Sequence, residues 1–156
     1  MSSKGYAPCS TRSATAISAS PPPKAAPAGS FASLFTDIEG LSHAFDRGFV
    51  AYGDAAKHDM LGVARKLIEE KGAVSREVAV AMAEGALERS SADIALSITG
   101  YAGPTDEGEQ GLVHFGCARR GDETAHREEH FGPLPRGPVR IACLRVALDM
   151  LEAALG

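Results

Sequence analysis

Tryptophan is absent from the 156-residue sequence, aromatic residues make up 6% of it, and its three cysteines, Cys9, Cys117 and Cys143, form no CxxC pair. An odd, widely spaced set of thiols argues against a disulfide framework and a zinc site, and suits a reducing compartment. No uninterrupted apolar run is long enough to span a bilayer, and no apolar core of a secretion signal follows Met1. A cytoplasmic location without a membrane partner is therefore expected. Basic residues form no blocks, and 16 of them stand against 20 acidic ones for a net charge of -4, so nothing tracks a nucleic-acid backbone. Acidic residues are also missing altogether from the first 29 positions.

What is present is a hydrophobic content of 44%, enough for one sizeable core in one domain. The acid-free stretch 1–29, rich in Ser, Ala and Pro, shows no sustained period of 3.6 or 2 and reads as disordered. The ordered domain is expected from 30 to 156. Phe31, Leu34, Phe35 and Ile38 fall at helical spacing, and Gly48 to Tyr52 reads as a short buried strand closed by Gly53-Asp54. Helices follow over 55–61, 64–71 and from the N-cap Ser75 to about Arg89. Asp93 to Thr99 reads as a central strand, 111–119 and 123–131 as a hairpin about Arg120-Gly121-Asp122, and the stripe from Val139 to Leu151 as a long last helix. The sum is a single three-layer α/β domain: a mixed sheet with parallel strands joined by helices, an antiparallel hairpin, and a long C-terminal helix.

Three places could carry chemistry. The loop Thr99 to Pro104 ends a central strand, where open α/β sheets bind ligands; its glycines admit backbone donors to an anion, or simply make a tight turn. Tyr52 and Lys57 follow the short strand: buried, they can exchange protons; solvated, they are an ordinary lysine and a packing tyrosine. Arg136 and Arg140 open the last helix, where guanidinium forks suit phosphate or carboxylate but also serve as surface charges. His114, His126 and His130 lie in the hairpin without an acidic or cysteine partner at metal spacing, and His43 and His58 stand alone, so no metal is expected. Cys117 and Cys143 sit in apolar patterns as core residues.

The segments FVAYGDAAKHDMLGV, GAVSREVAVAMAEGAL, ADIALSITGYAGP, GLVHFG and VRIACLRVALDMLEAAL together closely resemble the CinA C-terminal domain family, the nicotinamide-nucleotide amidohydrolases. The resemblance implies a compact α/β domain, homo-oligomeric, that hydrolyses the carboxamide of nicotinamide mononucleotide to nicotinic acid mononucleotide and ammonia. It implies no cofactor and no obligatory metal. The family's V-x-Y-S-N-x-x-K segment is matched by Val50, Tyr52 and Lys57, with Gly53-Asp54 in place of Ser-Asn. That match implies that Tyr52 and Lys57 handle protons for a serine nucleophile. Thr99, Gly100, Ala102, Gly103 and Pro104 match T-G-x-A-G-P and by resemblance hold the substrate; Arg140 matches a phosphate-binding arginine, and Arg136 matches less securely.

One motif departs. The family's T-A-E-S-C-T-G-G carries the serine, and counting back from Thr36-Asp37 puts that serine at Ala25, which cannot attack an amide. A GC-rich gene for I-A-T-A-E-S-C-T-G-G, read one base late, translates as S-P-P-P-K-A-A-P-A, the residues found from Ser20 to Ala28. The lysine is diagnostic, because the shifted GAA-AGC junction yields AAA among GC-rich codons. The expectation is thus that 1–29 is a frame-shifted reading that encodes no first strand and leaves a sheet edge bare. Three readings follow: an amidohydrolase whose nucleophile is restored by the correct frame, a catalytically inactive pyridine-nucleotide-binding remnant, and a plain interaction domain.

Overall fold

A computed structural model describes residues 13–19 and 44–156. Among the described residues five strands form one mixed sheet in the order β2-β1-β3-β4-β5: β1 (Ser13–Ala19), β2 (Phe45–Val50), β3 (Ile94–Gly100), β4 (Leu112–Arg119) and β5 (Ala125–His130). β1 runs parallel to both β2 and β3, while β3, β4 and β5 are successively antiparallel. Helices α1 (Asp54–Leu61), α2 (Arg65–Lys71) and α3 (Arg76–Glu88) connect β2 to β3, and α4 (Arg136–Leu155) closes the chain. The mixed sheet, its hairpin and the long last helix accord with the sequence reading.

Two expectations need correction. The segment 1–29 is not wholly outside the fold, because Ser13–Ala19 forms the strand between β2 and β3, so the sheet begins well before Ser30 and its edge is not bare there. Its small residues carry little apolar signal, and pairing on both sides, a tertiary effect, selects the extended backbone. The strand after this one spans Phe45–Val50 rather than 48–52, and it is half-buried to exposed rather than buried, since it lies at the sheet margin with a neighbour on one side. The expected helix over Phe31 to Ile38, the counted-back position Ala25, and His43 lie outside the described residues.

Alternation along β3 distributes the core. Ile94, Leu96 and Ile98 pack with Val113, Phe115 and Cys117 of β4 against Val139, Cys143, Val146, Ala147 and Met150 of α4. The intervening residues turn to α3: Ala95 joins Val78, Met82 and Ala86, and the Ser97 hydroxyl donates to the Ala79 carbonyl at 2.5 Å. Opposite Ser97 in the register stands Gly116, where a Cβ would lie 2.6 Å from the same Ala79 oxygen and from Ser97 Oγ. Only glycine lets α3 approach this closely. The start of α3 is fixed as its sequence suggests, with Ser75 Oγ accepting from the Val78 amide at 3.3 Å and donating to the Gly72 carbonyl at 2.9 Å.

Candidate functional site

The parallel strands deliver their carboxyl ends to one side of the sheet, and a cavity of about 420 Å³ opens there. Its wall is made by Tyr52, Asp54 and Lys57 around the start of α1, by Ala73 and Val74 ahead of α3, and by Thr99, Tyr101 and Glu107 after β3. Gly53 adopts extended backbone as the N-cap of α1, and Lys57, one turn in, is one of the buried residues of that helix. Lys57 is only 2% exposed. Burial lowers its pKa, and Asp54, whose Oδ1 lies 3.7 Å from Nζ, opposes that shift without cancelling it. A lysine so placed exchanges a proton more readily than one in water. Tyr52 is 36% exposed at the mouth and is not a core tyrosine.

Thr99 is buried at the end of β3, and its hydroxyl donates to the Ala73 carbonyl at 2.8 Å. Its proton is committed to the backbone, leaving the oxygen able to accept. Beyond it the loop is held by paired main-chain bonds, Tyr101 N to Leu112 O at 3.0 Å and Gly111 N to Tyr101 O at 2.8 Å. The Tyr101 phenol donates to the Glu107 carbonyl at 3.4 Å, and burial together with the Glu107 charge raises its pKa.

Of the residues singled out in the sequence, Tyr52, Lys57 and Thr99 meet in this cavity, whereas Gly100, Ala102, Gly103 and Arg140 are not among its lining. Gly100 has a packing reason as well: a Cβ there would lie 2.8 Å from Val113 Cγ2 and 2.9 Å from the Leu112 carbonyl. Gly103 lies against Arg136, whose Nε would be 3.3 Å from a Cβ at that position, so Arg136 is the guanidinium beside this loop. Asp54, Tyr101 and Glu107 were passed over in the sequence, although Tyr101 lies inside the TGYAGP loop itself. Ser18 was also passed over. The β1–β3 register sets it opposite Thr99, at the carboxyl end of the strand between β2 and β3.

The described histidines are partnered, His58 among them although it stands alone in the sequence. His114 and His126, diagonal neighbours on β4 and β5, stack with ring centroids 5.2 Å apart, and His114 Nδ1 lies 3.0 Å from His126 Nε2. Burial lowers both pKa values. His130 contacts Glu109 at 2.6 Å and Glu128 at 2.9 Å, which raises its pKa. His58 Nδ1 lies 2.9 Å from the Val63 carbonyl. Among the described residues no group of three or more His, Cys, Asp or Glu is placed to hold a metal ion, and no helix is long and apolar enough to cross a membrane. Cys117 and Cys143 are buried, which pushes their thiols up to about 11 and about 12, in keeping with core roles.

The CinA C-terminal domain family matches residues 24–155. A nicotinamide-nucleotide amidohydrolase PncC from Enterobacter agglomerans is 40% identical over 130 residues, 81% of this chain and 77% of its own length. A CinA-like protein from Leptospira borgpetersenii is 44% identical over 115 residues, 72% of this chain but 27% of its own length. The chain thus spans about a quarter of such CinA-like relatives. Among solved structures, the competence/damage inducible protein CihA of Agrobacterium tumefaciens superposes with a TM-score of 0.86 at 40% identity, covering 96% of this chain and 88% of that one. A CinA superfamily protein of Escherichia coli gives 0.79 at 33% identity, covering 90% and 78%.

Proposed function

Since the chain belongs to the CinA C-terminal domain family, we propose that it hydrolyses the carboxamide of nicotinamide mononucleotide, giving nicotinic acid mononucleotide and ammonia. The observation that carries the reading is Lys57, a lysine 2% exposed in the wall of an open cavity with its pKa lowered by burial. A neutral amine there serves as general base. The substrate also suits the wall, since a pyridinium cation is complemented by Asp54 and Glu107, and Arg136 beside Gly103 offers a fork for phosphate.

The nucleophile proposed is Ser18. Ser18 stands opposite Thr99 in the register, which supports a role at this end of the sheet, and Thr15-Ala16-Ile17-Ser18 shares Thr, Ala and Ser with the family's T-A-E-S, seven positions before the place counted back from Thr36-Asp37. In this mechanism the Ser18 oxygen bonds to the carboxamide carbon while its proton passes to neutral Lys57. Collapse of the tetrahedral adduct breaks the carbon–nitrogen bond, and the proton returns to the departing ammonia. Water then cleaves the acyl-serine ester and regenerates the hydroxyl. Tyr52 at the mouth relays protons between Lys57 and the leaving group.

The second reading, a pyridine-nucleotide-binding remnant without catalysis, is favoured by one fact: the position counted back from Thr36-Asp37 holds Ala25. If the frame of 1–29 is shifted, the natural product carries T-A-E-S-C-T-G-G there. Incubation of the purified chain with nicotinamide mononucleotide separates the two. Ammonia release abolished by Ser18→Ala supports the first reading, and calorimetric binding without any ammonia supports the second. Resequencing the DNA for residues 1–37 decides the frame independently.

A further inference from the structure

Tyr101 stands at the open position of T-G-x-A-G-P, where the motif asks for no particular side chain. Its backbone is nevertheless tied at both groups, the amide to the Leu112 carbonyl at 3.0 Å and the carbonyl to the Gly111 amide at 2.8 Å. The ring is held as well. Its phenol donates to the Glu107 carbonyl at 3.4 Å, and Gly108 lies so close that a Cβ there would be 2.8 Å from ring Cζ and 3.1 Å from Cδ2. Only glycine admits the ring at that distance. The loop therefore fixes an aromatic side chain in the wall of the cavity, at a place where the turn itself needs none.

The rest of the wall says what such a ring is suited to meet. Tyr52 adds a second phenol, Asp54 and Glu107 add carboxylates, and Lys57, the amine among the described lining residues, is buried and faces Asp54 at 3.7 Å. An aromatic face attracts a cation through its quadrupole, and a flat cation gains stacking area besides. Burial and the Glu107 charge raise the Tyr101 pKa, so the phenol stays a neutral donor and the ring keeps its place. We propose that Tyr101 is a specificity-determining residue, the platform on which the cationic pyridinium ring of the substrate stacks, and that with Asp54 and Glu107 it selects this ring over a neutral one of the same size. The proposal rests on the reading that the site takes nicotinamide mononucleotide, but it concerns the charge on the ring and not the fate of the amide. A reduced dihydropyridine, or free nicotinamide, carries the same carboxamide without the charge and is discriminated against.

Calorimetric titration of the full chain with N-methylnicotinamide, a permanent pyridinium, and with nicotinamide, its neutral counterpart, is the test. The cation should bind at least about tenfold more tightly. Tyr101→Leu should reduce that preference to about threefold or less, the carboxylates alone remaining, while Tyr101→Phe, which keeps the ring and loses the phenol, should hold it within about twofold of wild type. In steady-state turnover of nicotinamide mononucleotide, Tyr101→Leu should raise KM about tenfold and leave kcat within about threefold, because stacking holds ground state and transition state alike. Equal affinity for the two probes in wild type overturns the proposal, as does the lack of measurable binding of the cation. So does a preference that Tyr101→Leu leaves intact. A Tyr101→Phe chain that loses the preference as fully as Tyr101→Leu also overturns it, since the phenol's hold on Glu107 is then what matters and not the ring. Preference for the cation without ammonia release from the mononucleotide supports the platform while overturning hydrolysis, and ammonia release without the preference does the reverse.

Discussion

The two faces of β3 are built on opposite rules. Toward α4 stand Ile94, Leu96 and Ile98, filled out by Phe115 and Val113 and closed by the long helix. Toward α3 stand Ala95, Ser97 and Thr99, with Gly116 and His114 beside them in the register. The first face is thick and apolar and gains stability from area removed from water. The second is thin, brings α3 almost onto the strands, and is tied by hydroxyls to the carbonyls of Ala73 and Ala79. Because Thr99 ends the thin face, the cavity with Lys57 opens from that side. Stability and chemistry are thereby assigned to different sides of one strand, and a change on one side should leave the other largely intact.

Adjacent residues of β4 offer the largest test of that separation. Phe115→Ala empties the thick face and should lower unfolding free energy by about 3–5 kcal/mol. Gly116→Ala fills the thin face, forcing apart the Ser97–Ala79 contact, and should cost about 1–3 kcal/mol. Urea denaturation measures both. The comparison breaks if Gly116→Ala is neutral, because α3 is then not held at close approach.

Next in size is the effect confined to the site. Lys57→Met keeps the volume of a buried side chain and removes its amine, so turnover of nicotinamide mononucleotide should fall by roughly 10²–10⁴-fold. The melting transition should hold or rise, since an ionisable group buried against its solvation is removed. For wild type, activity should increase with pH as Lys57 loses its proton, with an apparent pKa below the ordinary 10.5. Steady-state rates across pH 6–10 would expose the error if activity instead fell over that range.

The thick face was far more legible in the sequence than the thin one. Val139, Cys143, Val146 and Met150 repeat at helical spacing, and a local period of that length predicts both α4 and what it covers. Ser75 declared the start of α3 by local chemistry alone. By contrast, Ser13–Ala19 is composed of small residues without an apolar period, and its strand is specified by two neighbours distant in sequence. Tyr52, Lys57 and Thr99 were found because they stand in short motifs. The Asp54, Tyr101 and Glu107 contributions depend on how a loop folds back, and His114 meets His126 only through strand pairing. Gly100 carries a second demand that the sequence does not display: its place in a loop motif suggests a ligand, and a Cβ there would also meet Val113 and Leu112 across the strands.

The smallest effect concerns acid. Nδ1 of His114 and Nε2 of His126 can share one proton at 3.0 Å, but two protonated rings would present donor to donor, and burial further disfavours their charge. Their folded pKa values lie below the ordinary 6.5, so the unfolded chain binds these protons first. The stability they contribute is complete above pH 6.5 and is lost as pH falls from there toward the folded values. His130 acts in the other direction: held by Glu109 and Glu128, its raised pKa gives stability that is complete below 6.5 and lost as pH rises through the folded value. Denaturation midpoints measured between pH 5 and 8 should therefore decline less steeply toward acid in His114→Gln than in wild type, and more steeply in His130→Gln. Equal slopes in all three chains would mean that the half-buried pair on the thin side relaxes apart when charged, and that this side of the sheet is less rigid than its close packing against α3 implies.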